Sequence, residues 1–265
     1  MWMYIWTTLA LAMPIADLDW RVVNDTVMGG VSQSTVQVDD TLTFSGTLSL
    51  ERNGGFASTR ARIPRGALEG GEALLVRLRG DGRTYDLTLR RADVRLRAGS
   101  YRVAIPSDTT ETEVVIPLSA FRPTSFGRPV SGAPALDSDL GQVDTLGLML
   151  ADKQPGPFSV QILEVTVLRG AAPLPASRGQ ATFVLRDAIT TGVPLFNAGD
   201  PAGCVDVYRG ALDRLLESSV LTPGESDVVR EALQIAARER AGDGAWTLRY
   251  AIDSLLAGAP PTGPR

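Results

Sequence analysis

Between about Trp20 and Leu168, apolar and polar residues alternate with a period of two and turn residues recur roughly every dozen positions, the pattern of a β-sandwich. From Thr41 to Leu50, the side chains of Leu42, Phe44, Leu48 and Leu50 fall on one face, while Thr43, Thr47 and Ser49 fall on the other. Two further apolar runs, 74–79 and 84–90, flank Gly80-Asp81-Gly82-Arg83. An Asp-Gly pair supplies the positive φ of a tight turn, so these arms are expected to form an antiparallel hairpin. More strands are expected at 57–63, 101–106, 112–117, 145–150 and 158–168, about ten in all, with no helix before residue 170. Residues 122–142 are rich in Pro, Gly and Ser and weakly periodic, which predicts a long surface loop of the kind that carries function.

Beyond a Pro/Ala-rich linker at 171–180 the apolar period changes to about 3.6. Asp200-Pro201 reads as an N-cap followed by a first-turn proline, and Cys204, Tyr208, Ala211 and Leu215 then recur at helical spacing. Thr222-Pro223-Gly224-Glu225 has the form of a capping box opening a second helix. A third is expected over 243–256, and a short one over 183–191 before them. The chain therefore divides into a sandwich at 17–170, the linker, a helical bundle at 181–258 and a disordered tail at 259–265. Cys204, on the apolar stripe of its helix, is expected to be a buried structural thiol.

Residues 2–16 are almost wholly apolar and end in small side chains before the first charge, at Asp17. Segment 1–16 reads as the core and cleavage site of a signal peptide, although no Lys or Arg precedes it; a misassigned start and a buried N-terminal strand are the alternatives. The stretch is too short for a comfortable bilayer span. The first arginine is Arg21, unlike the Arg-rich leaders of mitochondrial import. The expectation is a bacterial protein, exported or periplasmic rather than cytoplasmic, with no stable membrane span.

Composition removes whole classes of function. In 265 residues, 26 Lys+Arg stand against 30 Asp+Glu for a net charge of −4, which gives no basis for wrapping nucleic acid. There is no histidine, so Ser-His-Asp and Cys-His nucleophiles and His-ligated zinc or haem are excluded. A single cysteine excludes internal disulfides, Cys-rich zinc sites and iron–sulfur clusters. No glycine loop cradles a phosphate, and no cofactor is expected. Catalysis would have to run on carboxylates, tyrosines, an oxygen-ligated metal or Lys153, the only lysine.

The candidate binding residues lie in three blocks. Asn24 and Asp25 precede Gly29-Gly30, where they can lock a tight loop; alternatively Asp25, with Asp152 or Asp81, presents oxygens to calcium. Arg77, Arg79 and Arg90 are expected to share the polar face of the Asp-Gly hairpin, with Asp81 and Tyr85 near its tip. That would make a rigid donor array suited to carboxylates, and the first candidate for a recognition surface. Asp152-Lys153-Gln154 ends a strand and turns, a poor place to desolvate a catalytic lysine, so Lys153 is expected to pair with Asp25 or Asp152 and pin two loops. Asn53-Gly54-Gly55-Phe56 reads as a hairpin turn, or as a stacking platform for a sugar ring.

Four blocks together resemble a known family: Trp20-Arg21-Val22-Val23-Asn24-Asp25-Thr26-Val27-Met28-Gly29-Gly30-Val31-Ser32; Leu48-Ser49-Leu50-Glu51-Arg52-Asn53-Gly54-Gly55-Phe56-Ala57-Ser58; Arg77-Leu78-Arg79-Gly80-Asp81-Gly82-Arg83-Thr84-Tyr85; and Leu148-Met149-Leu150-Ala151-Asp152-Lys153-Gln154-Pro155-Gly156-Pro157-Phe158. In this order and spacing, over about 18–168, the chain is similar to the complex I (NADH:ubiquinone oxidoreductase) intermediate-associated protein 30 family. The resemblance implies a galactose-binding-like jelly roll. It also implies an assembly chaperone of the respiratory NADH dehydrogenase, a non-enzyme whose partners are protein subunits. Jelly rolls also serve sugars, so a carbohydrate- or small-ligand-binding module is the alternative. A glycosidase is the less favoured form of that alternative, with Asp25, Asp81, Asp86 and Asp152 as its available carboxyls. The tail resembles no family.

Overall fold

The computed structural model describes residues 9–97, 99–169 and 178–258. Residues 1–8 of the apolar N-terminal segment, most of the linker and the tail at 259–265 lie outside them. The chain forms two units, divided between Ala172 and Pro173.

The first unit contains β1 (Leu9–Ala12), β2 (Arg21–Val22), β3 (Gln33–Val38), β4 (Leu42–Leu48), β5 (Ala57–Arg62), β6 (Ala73–Gly80) and β7 (Thr84–Arg91). These are followed by β8 (Gly99–Pro106), β9 (Thr112–Pro117), β10 (Arg122–Ser125), β11 (Arg128–Pro129), β12 (Val143–Leu150) and β13 (Gly156–Arg169). One sheet runs β3-β4-β13-β6-β9, with β1 also on β13; the other runs β11-β10-β8-β7-β12-β5-β2. Their strand pairs are antiparallel, and the architecture is the expected jelly-roll sandwich. Alternation produces the core: Leu42, Phe44 and Leu48 on β4, Leu74, Val76 and Leu78 on β6, and Tyr85, Leu87 and Leu89 on β7 are all buried. Phe44 and Phe158 meet with ring centroids 5.0 Å apart, and Phe158 also meets the edge of Tyr85. Leu50, expected on the inward face of β4, lies beyond the end of that strand and is 44% exposed.

The expected hairpin of β6 and β7 does not form. The two strands belong to different sheets: β6 pairs with β13 and β9, and β7 pairs with β12 and β8. Each carries a full inward row of large apolar side chains, and crossing between the layers lets the two rows face each other across the core. Gly82, at φ +85°, makes the redirection possible.

The segment 122–142 is not a free loop. It contains the short pair β10–β11, and β10 extends the sheet beyond β8. The remainder is tied down from below: buried Arg91 donates to the carbonyl of Ala135 and the hydroxyl of Ser138, and Tyr101 donates to the carbonyl of Pro134.

The second unit is a bundle of α1 (Arg178–Asn197), α2 (Pro201–Glu217), α3 (Pro223–Ala236) and α4 (Ala241–Ala257). The last three match expectation, while α1 is a full 20 residues rather than a short turn and starts inside the expected linker. Asp200 caps α2 by accepting from Gly203 N–H, and Thr222 and Glu225 close the capping box of α3. Leu185, Tyr208, Leu212, Leu215, Val229, Leu248 and Ile252 form its core together with Cys204. Gly192 is required where α1 meets α2, because a Cβ there would lie 2.5 Å from the Tyr208 ring. No helix among the described residues is long and apolar enough to cross a membrane.

Candidate functional site

Asp25 is wholly buried and its carboxylate is filled by the protein's own donors. Oδ1 accepts the N–H of Ser32 at 3.0 Å; Oδ2 accepts the Ser32 hydroxyl at 2.5 Å, Gly55 N–H at 2.7 Å and Phe56 N–H at 3.3 Å. Burial alone would raise its pKa, but the Ser32, Gly55 and Phe56 hydrogen bonds outweigh it and hold the carboxyl below its ordinary value. Asn24 takes the hydroxyl of Ser34 at 2.7 Å. The Asn24–Gly30 block and the Asn53–Phe56 block are thus one structure, two loops stapled by a single carboxylate.

The second block is also an internal brace. Asp81 accepts the Tyr85 hydroxyl at 3.0 Å and Ser159 N–H at 2.8 Å through the same oxygen. Tyr85, expected near an exposed tip, is fully buried, and burial followed by the Asp81 charge pushes its phenol well up. Arg83, which the sequence did not single out, forks onto Asp152 at 2.9 and 2.7 Å, with both side chains largely buried. It also donates to the carbonyls of Pro157 and Gln154. Lys153 is exposed at φ +61° and has no ion pair among the described residues, so Arg83, not Lys153, pins this turn. Gln154 is exposed beside it. The carboxylates of Asp25 and Asp152 are thus both taken up by the protein's own donors, and among the described residues no three Asp, Glu or Cys side chains gather as a metal ion would need.

The third block is split by the crossing of β6 and β7. Arg77 lies on the six-stranded sheet in a fork between Glu111 and Glu164, and Arg79 is exposed on the same sheet. Arg90 lies on the other sheet and joins a different set of arginines. Register places Arg21 opposite Arg60, Arg60 opposite Gly147, Gly147 opposite Thr88, Thr88 opposite Arg102 and Arg102 opposite Arg122, a single row across β2-β5-β12-β7-β8-β10. In the neighbouring row, Arg62 and Arg90 lie opposite Thr145 on either side. At the end of this face, with the 92–97 segment as a wall, is a cleft of about 1070 Å³. Gly147 keeps the middle of the row flat, since a Cβ there would stand 2.6 Å from the carbonyl oxygen of Thr59. The sequence signal was present in the alternating Arg60 and Arg62 of β5 and in Arg95 and Arg97. Their convergence depends on pairings between distant strands.

Some of these charges are balanced locally. Arg62 pairs with Asp144 in the β12 bulge, Arg21 with Asp19, Arg91 with Asp93 and Arg102 with Asp86. Arg90 is held below the ordinary arginine range, first by burial and then by the charges of Arg60 and Arg102.

The sequence profile described as complex I intermediate-associated protein 30 matches residues 12–162. The Mus musculus protein "Complex I intermediate-associated protein 30, mitochondrial" is 31% identical over 171 residues, which cover 55% of this chain and 51% of that protein. The chain thus spans about half the length of this curated relative, and the helical unit lies beyond the profile match. Among solved structures, the family 11 carbohydrate-binding module of the cellulosomal cellulase Lic26A-Cel5E of Clostridium thermocellum is 18% identical, covering 62% of this chain and 95% of the module, with a TM-score of 0.46. The family 11 module from the same organism, in complex with a β-1,3-1,4-mixed-linked tetrasaccharide, is 18% identical, covering 61% and 96%, with a TM-score of 0.45.

Proposed function

This chain belongs to the complex I intermediate-associated protein 30 family, and from that membership we propose that it is a non-catalytic assembly factor that holds a subunit or intermediate of the respiratory NADH dehydrogenase. The observation that carries this reading beyond the family is the state of the carboxylates. Asp25, Asp81 and Asp152, three acids of the family-like blocks, are consumed in hydrogen bonds that fix loops and strand ends, and Asp86 is paired with Arg102. A general acid or base needs a carboxyl that can reach substrate and exchange its proton. What the sandwich offers is surface, and holding a partner requires area and complementarity.

A sugar-binding role finds less support, because the residues lining the cleft include no Trp, Tyr or Phe on which a sugar ring could stack. Affinity capture with crosslinking from the native host, joined to native-gel analysis of a deletion strain, tests the proposal. NADH dehydrogenase subunits in the eluate and stalled intermediates in the deletion are expected. A normally assembled complex in the deletion, or glycan binding without any such subunit, would overturn it.

A further inference from the structure

In a protein of net charge −4, the cleft on the outer face of the seven-stranded sheet has an inverse local charge: its lining includes eight arginines and two aspartates. After the ion pairs of Arg21, Arg62 and Arg91 are assigned, Arg60, Arg65, Arg90, Arg95 and Arg97 make no direct ion pair among the described residues, and of acidic charges Arg90 feels that of Asp144, which Arg62 already holds. Surface arginines are usually interspersed with acids, and five unbalanced guanidinium groups in one concavity repel one another. An anion entering the cleft relieves that repulsion and gains charge-assisted, forked hydrogen bonds.

The shape selects among anions. Arg60 and Arg90 stand on β5 and β7, either side of β12. Strands lie about 4.8 Å apart and Arg90 is two register positions along from Arg60, so the two backbone positions are separated by roughly 12 Å. An extended polypeptide rises about 3.3 Å per residue, so acidic side chains three or four positions apart span a comparable distance. Between the two arginines the sheet carries Gly147, Thr88 and Thr145, of which Thr145 lines the cleft. Single-stranded nucleic acid would need stacking platforms, and the lining holds no aromatic residue.

We infer that this cleft binds an extended acidic segment of the protein partner, with Arg60 and Arg90 as the principal carboxylate receptors and the arginines of the 92–97 wall as a steering field. The inference rests on reading the chain as a factor that holds a protein.

A fluorescently labelled alternating Glu-Ser peptide, its Gln-Ser counterpart and a single-stranded oligonucleotide of matched charge, each titrated against the full chain by anisotropy, test it. The Glu-Ser peptide is expected to bind tightest and to weaken with added salt. Arg60→Gln and Arg90→Gln should each weaken it about tenfold or more, the cost of one charge-assisted hydrogen-bonded contact. Arg79→Gln, on the opposite sheet, should leave it unchanged, and thermal melts of the variants report whether they fold. Equal binding of the Gln-Ser peptide, tighter binding of the oligonucleotide, or indifference to both cleft substitutions in folded protein would overturn the inference. Affinity capture with the Arg60→Gln/Arg90→Gln chain separates the two readings. Subunits recovered undiminished sink the cleft alone, whereas no subunits recovered with the unaltered chain sink the assembly role and leave the peptide titration to judge the cleft's acidic specificity.

Discussion

Arg83 and Asp152, 69 positions apart in the chain, meet in a two-pronged ion pair that is almost sealed from solvent and joins the β6–β7 crossing to the turn between β12 and β13. The pair lies where the chain changes sheets, so it holds the two layers in register at that end. Burial opposes ionisation of Asp152, but the Arg83 hydrogen bonds and the Gln154 N–H prevail and its carboxyl titrates below its usual value.

Removing one member leaves the other largely buried without its counter-charge. Arg83→Ala should lower the unfolding free energy by about 3 kcal/mol. Arg83→Lys should recover only part of this, because an ammonium cannot reproduce the planar fork that also reaches the Pro157 carbonyl. Urea unfolding of the sandwich measures both; equal stability of the Lys variant and the unaltered chain would contradict the account.

Asp25 should be the most sensitive carboxylate of the sandwich. Asp25→Ala strands the N–H groups of Ser32, Gly55 and Phe56, and should cost on the order of 2–4 kcal/mol. Its folded pKa is depressed, so its contribution is fully present above the unfolded value of about 3.9 and is lost as the pH falls through the lower folded value. Stability measured against pH should therefore fall less steeply below about pH 4 in Asp25→Asn than in the unaltered chain.

The helical unit should have its own acid limb. Glu225 accepts from the Thr222 N–H and pairs with Arg178, and its pKa is lowered to about 2, with Arg178 as the largest cause. Its stabilisation is present above the ordinary glutamate value of about 4.3 and disappears as the pH falls towards 2. Thr222→Ala, which opens the capping box, should cost about 1 kcal/mol at neutral pH. Helical circular dichroism followed against pH and denaturant checks both.

Cys204 should behave as a reporter of bundle opening. The thiol is 1% exposed between Tyr208 and Gly192, and burial pushes its pKa up. A disulfide-forming thiol reagent should label it no faster than the bundle unfolds, with a rate that rises with denaturant. Rapid labelling in native buffer would show that the α1–α2 contact is open.

Much of this protein is legible locally. Period-two alternation marks Leu42, Phe44 and Leu48, or Tyr85, Leu87 and Leu89, as one face of a strand, because successive residues on a pleated backbone point in opposite directions. Thr222 with Glu225, and Asp200 before Pro201, mark helix starts because capping is completed within one turn. The absence of histidine excludes its chemistry without any structure. Partner choice is another matter. A strand with one buried face satisfies its backbone equally well in either layer, so nothing within 74–90 says that β6 and β7 part company; Ser159, which donates to Asp81, and Asp152, which takes the Arg83 fork, hold the crossing from outside that segment. The same holds for function. Arg77, Arg79 and Arg90 are close in sequence yet lie on opposite sheets, while Arg21, Arg60 and Arg102 come from distant strands into one row. Hydrophobic alternation is a property of neighbours along the chain, but a charged surface is a property of neighbours across a sheet, and only tertiary pairing creates those.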